Sequence, residues 1–159
     1  MSTLPDDLPP CLIKIDKEGR MFHQGAEMIH QDINSLLLEN LSLDAQGRFV
    51  IEFKGQRCFV EVEDTPLVVR RVSLQKDGGF SLSLSDGSVE ELNPHWLWIS
   101  EENVLYTRVR GGSLPARFLR PAYYQLAEHI QETDSGFALL TSGQLWPIKP
   151  GRPESFPQT

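Results

Sequence analysis

Four arginines in a stretch without acids are the side chains best suited to binding a ligand. Residues 103–127 contain no aspartate or glutamate, and the cations within them are Arg108, Arg110, Arg117 and Arg120. Guanidinium groups bind carboxylates and phosphates through paired N–H donors. The stretch therefore predicts a ligand-binding site for a small anion, with Tyr123 or Tyr124 as a stacking surface.

The predicted elements bring these arginines to two neighbouring places. Tyr106, Arg108 and Arg110 alternate along an extended segment, which predicts that they share one face of a strand. Arg117 and Arg120 lie at the start of a predicted helix, whose first N–H groups can also bind an anion. A second interpretation stays open, in which these guanidinium groups pair with the acidic remainder of the same protein.

Clustered carboxylates offer acid–base chemistry as an alternative. Glu61, Glu63 and Asp64 lie close in sequence, and crowding can raise the pKa of one carboxyl toward the range that catalysis uses. Glu63 and Asp64 are adjacent on an extended segment, however, and should point to opposite faces. A structural role is favoured, in which Asp64 accepts backbone N–H bonds in the turn before Pro66.

Neither metal nor cofactor chemistry is indicated. The histidines are His23, His30, His95 and His129, and they lack the spacing of metal ligands. The sequence contains no GxGxxG, P-loop, HExxH or GxSxG motif, so no cofactor and no catalytic residue is predicted. Cys11 and Cys58 are far apart and show no CxxC spacing, which favours reduced, inert thiols in the cytoplasm.

Apolar spacing predicts two amphipathic helices. The first should bury one stripe made of Ile29, Ile33, Leu36, Leu37 and Leu41. The second should bury Leu119, Ala122, Tyr123, Leu126, Ala127 and Ile130, and Pro121 suits its first turn. Alternating segments separated by glycine predict β-hairpins within 11–23, 49–63, 67–84 and 136–148. The predicted fold class is therefore strand-rich α+β.

The composition limits the partners that the protein can have. The chain has 159 residues, of which 40% are hydrophobic and 23% charged, as in ordinary globular proteins. Its net charge of −7 opposes binding to nucleic acid or to an anionic membrane, so neither is expected. No apolar run reaches the length of about 18 residues that a membrane span needs. Residues 1–10 lack the basic start and apolar core of a secretory signal, and a cytoplasmic location is expected.

Two parts of the chain follow a similar plan of extended segments, a glycine, a helix and a hairpin with Gly-Gln in its loop. The two hairpins read GRFVIEFKGQRCFVEV and GFALLTSGQLWPI. The likeness predicts a first repeat at 11–66 and a second at 103–148, with a connecting sheet at 67–102 and tails at 1–10 and 149–159. Chance similarity stays open as the alternative. Neither half has enough apolar residues for its own core, so the halves are expected to pack together.

Four segments also carry a family resemblance. They are IDKEGRMFHQGAEM at 15–28, VEVEDTP at 60–66, ARFLRPAYYQLAE at 116–128 and SGQLWPI at 142–148. In order and spacing these segments resemble the bacterial domain of unknown function family 1285. The resemblance implies two similar α+β subdomains interlaced into one globule. It also implies a ligand-binding or signal-transduction role, and it transfers no catalytic residue.

Three functional hypotheses follow from these observations. The preferred one is a non-enzymatic cytoplasmic module that binds a small anionic ligand or a regulatory protein partner. The second is a hydrolase or lyase that uses His23 or Glu63. The third is an interaction or structural protein that oligomerises through strand edges or through the region of Trp96 and Trp98. The sequence leaves the oligomeric state open.

Overall fold

The computed structural model describes residues 8–153, and the chain divides after Pro66 into two compact units. The first unit contains six strands and one helix within the described residues. In chain order these are β1 (Pro10–Ile15), β2 (Met21–His23), β3 (Ala26–Glu27), α1 (Gln31–Glu39), β4 (Leu41–Leu43), β5 (Phe49–Phe53) and β6 (Gln56–Val62). The predicted tails fall partly outside the described residues, at 1–7 and 154–159.

The strands of the first unit form one mixed sheet of order β3-β2-β1-β6-β5-β4. All neighbours are antiparallel except β1 and β6, which are parallel. Burial alternates along β1, where Ile13 and Ile15 are buried while Leu12 and Lys14 are exposed. Because successive side chains of a strand point to opposite faces, the sheet here has one core face and one exposed face.

The first predicted helix is confirmed, but its predicted buried stripe is wrong for three of its five residues. Ile29, Ile33 and Leu36 are exposed, and the buried leucine of α1 is Leu38. The helix packs on β5 and has only nine residues. It begins after Ile29 and ends before Leu41, which lies in β4, so the predicted stripe does not run along one continuous helical face.

The second unit contains ten strands and one helix within the described residues. In chain order these are β7 (Leu67–Leu74), β8 (Phe80–Leu84), β9 (Val89–Glu91), β10 (Leu97–Ile99), β11 (Leu105–Val109), β12 (Leu114–Phe118), α2 (Arg120–Ala127), β13 (Ile130–Thr133), β14 (Gly136–Thr141), β15 (Gln144–Pro147) and β16 (Lys149–Pro150). Lys149 and Pro150 were assigned to the C-terminal tail. They form a strand instead, because their backbone pairs in parallel with β10.

The second unit has a larger mixed sheet of order β16-β10-β11-β12-β7-β8-β9 and a smaller antiparallel sheet of order β13-β14-β15. Residues of β7, β11 and β12 are buried on both faces, as expected at the centre of a covered sheet. The helix α2 packs on β7 and β12, and its Ala122 and Leu126 are fully buried. The second predicted helix is thus confirmed. Together the elements give the strand-rich α+β fold that the sequence predicts.

One strand order occurs twice in the chain. In the first unit a three-stranded meander is followed by a crossover and a second meander, whose last strand, β6, pairs in parallel with β1. Strands β7 to β12 repeat each of these steps, and β12 pairs in parallel with β7. This recurrence relates residues 10–62 to 67–118, whereas the sequence comparison related 11–66 to 103–148. The predicted sequence repeat has different boundaries from this recurrence of strand order, and it stays a prediction.

Candidate functional site

Arg110 lies outside β11 and is held within the second unit by two acidic side chains, so the alternation predicted for Tyr106, Arg108 and Arg110 does not extend to it. Its Nη2 donates to Oδ2 of Asp86 at 2.8 Å, and its backbone N–H donates to Oε2 of Glu90 at 2.9 Å. Arg110 lies one residue after β11 and has a φ of 55°. This left-handed conformation ends the alternation of the strand, so the guanidinium turns toward Asp86.

Arg108 and Arg117, in contrast, lie on one face of the larger sheet. Arg117 of β12 is directly opposite Tyr106 of β11, and Arg108 is opposite Pro115. The two arginines are therefore diagonal neighbours across an antiparallel pair, which is within the reach of long side chains. Both are half-buried. Of the predicted arginines, the structure brings these two together.

Two further cations and two aromatic rings belong to the same face. Trp98 of β10 is directly opposite both Tyr106 and Lys149, so one row crosses β16, β10, β11 and β12. The Trp98 ring has Nζ of Lys149 at 4.7 Å and Cζ of Arg108 at 5.5 Å from its centroid. Cζ of Arg152 lies 4.9 Å from the Tyr106 centroid. We call these six residues the cation–aromatic face, and they are Trp98, Tyr106, Arg108, Arg117, Lys149 and Arg152.

Attraction between cations and aromatic rings stabilises the cation–aromatic face. A cation within about 6 Å of an aromatic centroid is attracted by the electron-rich face of the ring. Trp98 and Tyr106 are buried, whereas Lys149 and Arg152 are exposed, so the rings form a base for cations that reach solvent. Lys149 is further fixed by donating from Nζ to the carbonyl oxygen of His95 at 2.8 Å. The arrangement can present several N–H donors to an anion.

The remaining predicted site residues lie on α2. Arg120 is exposed at the first position of the helix, and its Nη1 donates to the hydroxyl of Tyr124 at 3.3 Å. Tyr123 is half-buried and makes an edge-to-face contact with Tyr124, with ring centroids 5.5 Å apart. Arg120 and Tyr123 thus belong to the helix and not to the row of strand residues that carries the cation–aromatic face.

The predicted acid–base residues line a groove of the first unit. This groove has a volume of about 560 Å³ and is lined by Leu12, Lys14, Asp16, Phe22, Gln24, Gly25, Glu61 and Glu63. Lys14 is directly opposite Glu61 in the parallel pair of β1 and β6. Glu63 is exposed and accepts the backbone N–H of Lys17 at 3.2 Å. His23 instead lines a separate groove of about 290 Å³ beside α1.

The prediction that both cysteines are reduced, inert thiols is wrong. Cys11 and Cys58 form a disulfide, with their Cα atoms 5.0 Å apart. The parallel pairing of β1 with β6 places Pro10 opposite Phe59, which brings the two cysteines together across the sheet. The 47 residues between them conceal this proximity in the sequence.

The described part of the chain offers neither a metal-binding cluster nor a membrane-spanning helix. Within residues 8–153 no group of three or more histidine, cysteine or acidic side chains could hold a metal ion. Neither α1 nor α2 has the length and apolar character needed to cross a membrane.

Sequence reasoning missed Lys149 and Arg152, because both fell within a segment taken to be a tail. The signal that could have identified them is the short spacing of basic residues around Pro150, immediately after the last predicted hairpin. Trp98 was predicted only as part of an oligomerisation surface together with Trp96. Its position opposite Tyr106 depends on the register of β10 and β11, which the sequence does not encode locally.

The fold is similar to those of two solved DUF1285 family proteins. The protein from Silicibacter pomeroyi DSS-3 has a TM-score of 0.74 and 21% identity, and the match covers 89% of this chain and 81% of that chain. The protein from Shewanella baltica OS155 has a TM-score of 0.63 and 18% identity, with 74% of this chain and 91% of that chain covered. No protein-family model and no curated protein matches the chain. The predicted resemblance to domain of unknown function family 1285 is confirmed, and at these identities it establishes the fold alone.

Proposed function

We propose that the protein is a non-enzymatic cytoplasmic module that binds a small phosphate- or carboxylate-bearing ligand and acts in regulation or signal transduction. The observation that carries this proposal is the gathering of four cations on one sheet face, namely Arg108, Arg117, Lys149 and Arg152. The remainder of the chain supplies the excess of acids behind the net charge of −7. Such local segregation creates a field that attracts anions toward one part of an acidic protein.

The aromatic rings make this cluster a better anion site than four solvated cations would be. A side chain that is already placed over a ring loses less conformational freedom when a ligand binds. Ligand binding is compatible with existing bonds of Arg108, Arg117 and Arg152 within the protein, because each guanidinium carries five N–H donors. An arginine that is bonded within the protein can therefore still donate to a phosphate or carboxylate.

A binding role is favoured over catalysis because the face consists only of cations and aromatic rings. General acid–base catalysis needs a group that can exchange a proton near neutral pH, and arginine, which supplies three of the four cations, does not do so. The acids considered for such a role, Glu61 and Glu63, line a groove in the other unit. A regulatory module that senses an anion is the function that this geometry supports best.

The proposal is tested by differential scanning fluorimetry and calorimetry with inorganic phosphate, citrate and ATP at constant ionic strength. At least one of these anions should raise the melting temperature, because a ligand that binds only the folded state stabilises it. Arg152→Ala and Lys149→Ala should each weaken the affinity about tenfold, which corresponds to the loss of about 1.4 kcal/mol from one charge-assisted contact.

The matched control is Arg57→Ala, which removes one exposed cation of β6 in the first unit. This variant should bind like the wild type. Equal weakening in Arg57→Ala would show that only the net charge matters, and no stabilisation by any of the three anions would refute the site. Arg120→Ala shows separately whether the start of α2, which the sequence predicted as part of the site, contributes to binding. Cell fractionation tests the proposed cytoplasmic location.

A further inference from the structure

The disulfide between Cys11 and Cys58 lies at an interruption of the first unit's sheet. The pairing of β1 with β6 shifts register between Pro10 and Lys14. Within this interval Leu12 has a φ of 64°, a left-handed conformation that is costly for a residue with a side chain. Two backbone bonds outside the regular ladders lie here, in which Phe59 N–H donates to Pro9 O and Gln24 N–H donates to Leu12 O, both at 3.0 Å.

The same interval forms part of the wall of the groove of about 560 Å³. Leu12 is 51% exposed and lines this groove together with Gln24 and Lys14. The covalent bond next to Leu12 holds the first residues of β1 against β6, where the regular ladder is absent. The bond between the two sulfur atoms therefore helps to hold this wall against β6.

We propose that Cys11 and Cys58 form a redox latch that is opened by thiol–disulfide exchange with a dithiol reductant. A thiolate of the reductant attacks one sulfur atom, the S–S bond breaks, and the other cysteine leaves as a thiolate. The second thiol of the reductant then displaces the bound cysteine and becomes part of a reductant disulfide. Two electrons thus pass to the protein, and two protons complete the thiols of Cys11 and Cys58.

The setting of the latch suits exchange better than permanent cross-linking. Both cysteines are half-buried strand residues. They lie beside the groove of about 560 Å³, and residues of its lining such as Leu12 are exposed. This inference rests on the proposed cytoplasmic location, because in a reducing compartment a disulfide is usually transient and serves in catalysis or redox sensing. Opening frees residues 9–12 from β6 while the regular pairing of Lys14 with Glu61 and of Ile15 with Val62 persists. The groove changes shape without loss of the sheet.

Hydrogen exchange on the oxidised and the reduced full-length protein tests the latch, with thiol alkylation and mass measurement to count the cysteines that react. Alkylation should label no cysteine before and two cysteines after treatment with dithiothreitol. The amides of Gln24 and Phe59, which donate in the two backbone bonds outside the regular ladders, should exchange about tenfold faster after reduction. Amides of β7 and β12 in the other unit serve as the internal control and should not change.

Cys58→Ser should reproduce the exchange pattern of the reduced protein and should not respond to dithiothreitol. If this variant fails to fold, the wild-type comparison decides alone. Two labelled thiols before any reduction would overturn the proposal, as would a bond that glutathione buffers at a cytosolic ratio leave intact. Unchanged exchange at Gln24 and Phe59 after complete reduction would also overturn it, because the bond would then hold nothing in place.

Discussion

Asp86 illustrates at the level of one residue how the fold keeps a buried carboxylate charged. Burial by itself would raise the pKa of Asp86, but hydrogen bonds from Ser88 and from the Arg110 guanidinium outweigh it and lower the pKa below its ordinary value of 3.8. A group whose pKa is lowered by folding stabilises the folded state above its unfolded pKa. That contribution disappears as the pH falls through the folded value.

We therefore expect Asp86→Asn to lower the free energy of unfolding at pH 7 by about 3 kcal/mol, because it leaves the Arg110 guanidinium without its carboxylate. Urea denaturation at pH 7 and at several values below pH 4 measures the effect. The difference from wild type should shrink toward low pH, where the wild-type carboxyl is itself protonated. Asp134→Asn makes the same chemical change at an exposed position and should alter stability little at either pH. A difference that stays constant down to pH 2 would contradict the assignment.

Arg110 also shows where prediction at the residue scale stops. The acid-free stretch drew attention to Arg108 and Arg117, because composition is visible in one segment of sequence. The pairing of Arg110 with Asp86 joins residues 24 positions apart and depends on the left-handed conformation at Arg110. A positive φ at an arginine has no local signal, so strand alternation was extended one residue too far.

At the scale of elements, the loops between strands are the part of the fold that the sequence specifies most directly. Asp16 and Asp44 each begin a turn of the form Asp-x-x-Gly-Arg. In both turns one carboxylate oxygen accepts two backbone N–H groups and the other accepts Nε of the arginine at 2.9 Å. Short-range bonds of this kind explain why the hairpin of β1 and β2 could be predicted from its turn residues.

Elements whose burial depends on distant partners were predicted less well. The apolar spacing around α1 predicted a helix correctly, but which side chains are covered depends on the sheet against which the helix packs. Leu38 is therefore buried while Ile33 is exposed. The disulfide was missed for the same reason, since only the parallel pairing of β1 with β6 brings Cys11 to Cys58.

A contact between two loops gives a sharp prediction at this scale. The turn before β8 packs under the turn between β14 and β15, where Ser142 N–H and the Thr141 hydroxyl both donate to the carbonyl oxygen of Gly78. A Cβ added at Gly78 would lie 2.9 Å from Cα of Ser142, and Gly78 has a φ of +89°. The added Cβ would clash with backbone atoms of Ser142, which cannot move aside as the end of a flexible side chain can.

Gly78→Ala should therefore lower the free energy of unfolding by about 1–2 kcal/mol for the left-handed backbone, with about 1–3 kcal/mol more for the steric clash. Gly143→Ala is the matched control, because Gly143 lies in the same contact region, has a φ of +78° and has no atom within 4 Å of the added Cβ. Gly143→Ala should show only the destabilisation of about 1–2 kcal/mol that comes from the left-handed backbone. Urea denaturation compares the two variants, and equal destabilisation would rule out the clash.

At the scale of the whole molecule, the recurrence of one strand order is the main regularity. Both six-strand sets place their first and last strands side by side in parallel, as β1 with β6 and as β7 with β12. The α+β class could be predicted because hairpins and helices have local signals. The shared order could not, because the two parallel pairs form between strands that are distant in sequence and α1 interrupts only the first set.

The common order predicts a common hierarchy of stability within each unit. The strands of the central parallel pairs have a neighbour on either side, whereas β3 and β4 are edges of the first sheet and β9 and β16 are edges of the second. Opening the sheet from an edge breaks one ladder, while freeing a central strand breaks two, so central amides need a larger opening before they can exchange.

Hydrogen exchange followed by NMR should therefore find the slowest amides of the first unit in β6 and those of the second in β7 and β12. Amides of β4 or β9 that exchange as slowly as these would show that the ladder order does not control local opening. Because Cys11 links only the start of β1 to β6, reduction should speed exchange beside Cys11 while the rest of β1 and the ranking in the second unit stay the same.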